Sequence, residues 1–200
     1  MLRIRPWIYR LTFWLLLLSA VALGAQASSI YLKAWLAQAL IANAWQQSLT
    51  SGQPVKPWPW ADTWPVAAIH WSALAEPLYV MNAAGGEGLA FGPALVEGSP
   101  QPEQGGDIVI GGHRDTHFRG LQTLKTEDRI ELTDQRGRHH RYRVSRIHIV
   151  DSGKDPLIPA NRNGLTLITC YPFEALIPGG PLRYVVEAEP DENWWAIPVH

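Results

Sequence analysis

A single cysteine stands in this chain of 200 residues, so no internal disulfide can form and a disulfide scaffold is excluded. The formal net charge is −1. That leaves no basic footprint and argues against nucleic acid as a partner. No internal repeat is visible, which removes repeat arrays. Charge is missing altogether from Leu11 to Leu32. Few core helices start after three arginines and run this long uncharged.

Proline, glycine and tryptophan are plentiful, at 16, 17 and 10 residues. Together they point to a loop-rich β architecture rather than a helical bundle. The length suits one domain with a real core and a short N-terminal appendage.

Arg3, Arg5 and Arg10 precede the uncharged stretch, whose centre is Phe13-Trp14-Leu15-Leu16-Leu17-Leu18. A membrane-spanning helix needs roughly 20 such residues. Arginines before it and none just after it place the N-terminus in the cytoplasm and the rest outside. A cleavable signal peptide ending at Ala25-Gln26-Ala27 also fits, and both readings export the body of the chain. The retained anchor is preferred, because helix-compatible sequence continues past the cleavage point. From Lys33 to Leu49 alanine and leucine favour helix. Leu32, Trp35, Leu36, Ala39 and Leu40 share one apolar face, which fits a stalk helix and equally a helix packed on the domain through that face. The expected organisation is a basic start over 1–10, a transmembrane segment over 11–32 and a helical stalk over 33–55. The main domain follows over 56–200.

Three prolines between Lys56 and Pro65 exclude helix and central strand there. Its tryptophans, Trp58, Trp60 and Trp64, suit either a ligand-binding face or, the preferred reading, a belt that packs an irregular segment onto a barrel. Strands are expected at Val66–Trp71, Leu78–Met81, Asp107–Gly112, Arg129–Thr133, His139–Val150, Leu165–Thr169 and Leu182–Ala188. A helical turn is expected at Leu89–Phe91, and a hairpin turn at Gln135–Arg138. The strand that starts at His139 should carry Tyr142, Val144, Arg146, His148 and Val150 on one side. Asp151–Gly164 and Tyr171–Gly180 read as loops, the first long enough to carry function. Many short strands with turn signals suggest a closed, mainly β barrel.

Cys170 ends a continuous apolar strand. A thiol attacks only as thiolate, a form that a nearby imidazolium or guanidinium favours. His113 ends another strand after two glycines, which allow close approach of substrate or backbone. Arg183 lies near the start of the strand that follows the Cys170 loop. If the two strands pair, Arg183 returns to the cysteine and can stabilise an oxyanion. Taken singly, each residue has an ordinary role: core thiol, surface turn, solvated cation. An exported free thiol carries an oxidation risk, which favours a chemical use. His113 and His117, with Asp115 between them, also have the spacing of a helical metal site. The flanking glycines argue against a sustained helix there, and His139, His140 and His148 lie on a separate strand.

Thr166-Leu167-Ile168-Thr169-Cys170 resembles the T-L-x-T-C signature of sortases, the cysteine transpeptidases of bacterial surfaces. Gly112-His113-Arg114-Asp115-Thr116 resembles the segment around the sortase catalytic histidine. Arg183, in Gly180-Pro181-Leu182-Arg183-Tyr184, occupies the place of the sortase arginine. The resemblance runs from about Trp64 to the chain end. Lys56–Val66 and Cys170-Tyr171-Pro172-Phe173 look most like the Gram-negative group called class GN.

The resemblance implies a closed sortase barrel of about eight strands with short helices. It implies that Cys170 attacks a carbonyl in a C-terminal sorting signal of a protein substrate, and that an amine acceptor takes the acyl group. His113 would be the acid–base group, Arg183 the oxyanion partner, and Thr169 would help shape the substrate-binding site. No cofactor is implied and no acidic cluster suggests calcium. The implied location is the inner membrane, single-pass, with the catalytic domain on the periplasmic side. Two alternatives stay open: a cysteine hydrolase using the same residues, and a non-catalytic membrane-anchored β-domain that binds a partner.

Overall fold

A computed structural model describes residues 6–85, 88–154, 163–175 and 179–192. Arg3, Arg5, residues 86–87, most of the Asp151–Gly164 loop and residues 176–178 of the Tyr171–Gly180 loop lie outside the described residues. The chain divides into two compact units, Met1–Ala39 and Leu40–His200.

The first unit is helical, part of α1 (Pro6–Ser51). By length and composition α1 can cross a membrane. Its apolar side chains point outward, with Leu16 70% exposed. A helix apolar on all sides suits lipid rather than water. Its serine and threonine hydroxyls are satisfied within the helix: Thr12 donates to Tyr9 O, Ser19 to Leu16 O, Ser28 to Gly24 O and Ser29 to Gln26 O. Such back-bonding removes the cost of a bare hydroxyl in an apolar segment.

In the second unit the last turns of α1 bury Ile41, Ala44, Trp45 and Ser48. These follow the i, i+3, i+4, i+7 rule of one helix face. The buried face is therefore not the one expected from Leu32, Trp35 and Leu36, which are all exposed. Ile41 packs with Met81 and Ala94, and Trp45 lies 6.3 Å from Tyr79, ring to ring. Gly52 ends the helix with φ +68°, and its N–H donates to Ser48 O. That left-handed cap favours glycine.

The strands are β1 (Pro65–Trp71), β2 (Leu78–Met81), β3 (Ala94–Leu95), β4 (Ile108–Gly111), β5 (Arg129–Asp134), β6 (His139–Asp151), β7 (Leu165–Cys170) and β8 (Leu182–Pro190). They close a barrel in the order β1-β2-β3-β4-β7-β8-β6-β5, as the strand pattern led one to expect. Pairing of β1 with β5 completes the ring. A short helix α2 (Gly88–Phe91) stands at the expected Leu89–Phe91 turn. Arg119–Thr123 is a 3-10 turn. The two-residue β3 has no sequence pattern long enough to announce it.

Side chains of Ile69, Trp71, Ile110, Leu132, Leu167 and Val186 fill the barrel. A second cluster, Val109, Ile168 and Val185, lies on the other face of the same wall. Strand β7 is buried on both faces, which suits its Leu165, Leu167 and Ile168, and Thr166 and Thr169 are buried with them.

The one-sided pattern expected along β6 breaks at Ser145. Val144 faces Ala188 while Arg146 faces Glu187, so Ser145 is an extra residue. Such a bulge exchanges inside for outside. Tyr142 and Val144 join the barrel core, but beyond the bulge Ile147 does so, and Val150 packs on the outer cluster.

The β5–β6 turn is tied by buried Asp134. One carboxylate oxygen accepts the N–H groups of Arg136 and Arg138; the other accepts Arg138 Nε at 2.8 Å and His140 Nε2 at 2.9 Å. The tryptophan belt is present in part. Trp58 packs edge-on against Phe91 at 5.0 Å and Trp64 packs on the barrel core, whereas Trp60 is 81% exposed.

Candidate active site

Strands β4 and β7 are parallel neighbours, with Gly111 opposite Ile168. Parallel neighbours end on the same rim, so the residues after β4 and at the tip of β7 meet there. Those residues are His113 and Cys170. The backbone is fixed at this junction. Gly112 N–H donates to Ile168 O at 3.1 Å, and Thr169 Oγ1 donates to Gly112 O at 2.7 Å. Phe118 N–H closes the following turn on His113 O at 3.0 Å. His113 itself is exposed.

Strand β8 runs antiparallel to β7, and Arg183 stands directly opposite Cys170. Tyr171 N–H donates to Leu182 O at 3.0 Å. Cys170 and Arg183 therefore form a non-hydrogen-bonded pair, the kind whose side chains approach most closely. They share the outer face with Ile168 and Val185, two residues further along each strand. Cys170 is half-buried and free. Arg183 Nη1 donates to Gly180 O at 2.7 Å and Leu182 O at 2.9 Å, at the end of the loop between the strands.

Thr169 points the other way and is buried, its hydroxyl committed to the His113 turn. The two glycines before His113 differ in role. A Cβ on Gly112 would lie 2.7 Å from the Phe118 ring, while one on Gly111 would meet only Val96 at 3.5 Å. The close approach at Gly112 is thus made by a core ring that anchors the turn.

Residues 114–118 form turns rather than a helix. Burial, and then the charge of nearby His113, hold the His117 imidazole below its ordinary pKa. Among the described residues no group of three or more His, Cys, Asp or Glu side chains is placed to hold a metal ion.

Two features of the site have no counterpart in the sequence pattern. Tyr171, Phe173 and Tyr184, close in sequence to Cys170 and Arg183, form a ring cluster with centroids 5.1 to 6.4 Å apart, and Phe173 and Tyr184 pack on the barrel core. Burial, and then Tyr171, raise the Tyr184 phenol above its ordinary pKa. Arg114 is buried and donates from both terminal nitrogens to the loop after Cys170. Its place beside His113 is the one signal that could have found it.

The family profile of the sortase domain matches residues 69–191, more than half of the chain. The chain belongs to the sortase family. The match spans seven of the barrel strands and part of β1. Sortase D of Bacillus subtilis (strain 168) is 31% identical over 111 residues, which are 54% of this chain and 55% of that protein. The chain thus spans about half the length of this curated relative. A Clostridium perfringens Sortase D5 transpeptidase superposes with TM-score 0.59 at 16% identity, over 78% of this chain and 98% of that one. Sortase A from Corynebacterium diphtheriae, as a lid mutant, gives 0.56 at 24% identity, over 80% and 98%. At these identities the two structures speak for the sortase fold alone.

Proposed function

We propose that this sortase domain is a cysteine transpeptidase whose working residues are Cys170, His113 and Arg183. The observation that carries the reading is the pairing of Cys170 with Arg183 on one face, at the rim where the His113 turn is bonded to β7. The Cys170 thiolate attacks a backbone carbonyl of the substrate protein, and Arg183 stabilises the oxyanion. As the carbon–nitrogen bond breaks, the leaving amine takes a proton from His113 and a thioacyl-enzyme remains. An incoming amine then gives a proton to His113 and attacks the thioester. A new amide forms and the thiolate leaves. Thr169 shapes the site through its bond to the His113 turn.

The substrate class is a protein with a C-terminal sorting signal. The class GN assignment rests on Lys56–Val66 and Cys170-Tyr171-Pro172-Phe173. With the basic start before α1 it supports an inner-membrane anchor with the domain on the periplasmic side.

The test uses the full chain in detergent with a library of C-terminally extended peptides, with and without hydroxylamine. Peptidyl hydroxamate should form, and Cys170→Ala should abolish it with the fold intact. Peptide acid alone, undiminished by hydroxylamine, would assign the same site to a hydrolase. Product from the Cys170→Ala variant would refute the reading.

A further inference from the structure

We infer that Arg114 is a positioning residue, a clamp that holds the loop after Cys170 against the turn that carries His113. The inference rests on the transpeptidase reading. Arg114 follows His113 directly and is 8% exposed. Its Nη1 donates to Pro172 O at 2.9 Å and its Nη2 to Ala175 O at 2.7 Å. Both acceptors lie within five residues after Cys170. A guanidinium is a planar fork with fixed donor directions, so it can bridge two carbonyls of one loop where an ammonium holds one. Bonds from a charged donor are also the stronger kind.

A second tie lies on the other side of the same two residues. Thr169, just before Cys170, donates to Gly112 O, just before His113. Arg114, just after His113, donates to Pro172 and Ala175, just after Cys170. The thiol and the imidazole are thus bracketed by two sets of hydrogen bonds between the same two segments. Thr169 fixes the strand ends, and Arg114 fixes the loops that leave them. Without Arg114 the Cys170 loop and the His113 turn would lose their link on the loop side, and the two groups would spend less time in working register.

Arg114 is not a second oxyanion cation. Arg114 is buried and both its terminal nitrogens bond loop carbonyls, whereas Arg183, whose Nη1 also bonds loop-end carbonyls, stands opposite Cys170 on the same face. Phe173, between the two clamped carbonyls, packs on the barrel core and against Tyr184, so the clamped loop also seats the aromatic cluster.

The test is a double-mutant cycle on the full chain in detergent, reading the rate of Cys170 alkylation by iodoacetamide in the folded state. His113→Ala should slow alkylation about tenfold with Arg114 present, and only about twofold in an Arg114→Gln background. Arg114→Lys keeps the charge and should restore part of the difference. A purely structural role lowers the melting temperature without changing how strongly His113 acts on the thiol. An equal His113→Ala effect in the unaltered chain and in the folded Arg114→Gln variant would overturn the clamp and leave the catalytic reading standing. No effect of His113→Ala in the otherwise unaltered chain would instead overturn the catalytic reading. If Arg114→Gln does not fold, the same comparison with Arg114→Lys decides. Failure of both to fold makes Arg114 a residue of the fold and overturns the clamp.

Discussion

Cys170 and Arg183 face each other across the β7–β8 pair, one at the tip of its strand and the other one residue inside its own. Strand register thus sets the place of the cation, and Nη1 is tied to Gly180 O and Leu182 O. Arg183→Ala should cut turnover by about 10²- to 10³-fold, the usual loss when an oxyanion donor is removed. Cys170 should stay reactive toward a small thiol reagent. Steady-state rates against alkylation rates separate the two effects. Equal loss in both would place Arg183 in activating the thiol instead.

Gly112 carries a prediction about the fold beneath the site. An added Cβ would lie 2.7 Å from the Phe118 ring, which is fully buried. Either the ring or the His113 turn must shift. Gly112→Ala should cost about 1–3 kcal/mol, as overpacking does. Gly111→Ala has ordinary contact room around its Cβ and should cost less. Thermal unfolding of the two variants checks the order.

Asp134 sets a pH dependence far from the thiol. Burial pushes its carboxyl upward, but hydrogen bonds from His140, Arg138 and Arg136 outweigh burial and hold it below its ordinary 3.8. A folded pKa below the unfolded one means the unfolded state binds the proton more readily. The stabilisation is thus fully present above the unfolded value and is lost as pH falls through the folded one. Asp134→Asn should lower stability by about 1–3 kcal/mol at pH 7. Its stability should also fall less steeply than that of the unaltered chain as pH drops below 3.8. Parallel denaturation curves at several pH values test this.

Much of the fold is legible because apolar alternation and turn residues report strands directly. Seven of the eight strands stand where their patterns place them, and the expected return of Arg183 to Cys170, conditional on the pairing of their two strands, is met by the β7–β8 pair. β3 is not legible, since two residues carry no period. The faces of β6 depart from simple alternation because the bulge at Ser145 leaves no composition signal. The helix face is misleading because Leu32, Trp35 and Leu36 look like core residues, yet they lie where α1 is exposed. At the site, residue type and place along the chain announce Cys170, His113 and Arg183. Arg114 stays hidden because its partners are backbone carbonyls, which any sequence supplies.

In the proposed mechanism Cys170 is a nucleophile activated at the rim and not a core thiol. The most direct test is labelling of the native full chain with a thiol-directed reagent, followed by mass across a range of pH. One label per chain is expected under native conditions, at Cys170, with a pH profile that changes in His113→Ala. A chain that takes up label only after denaturation would contradict the mechanism.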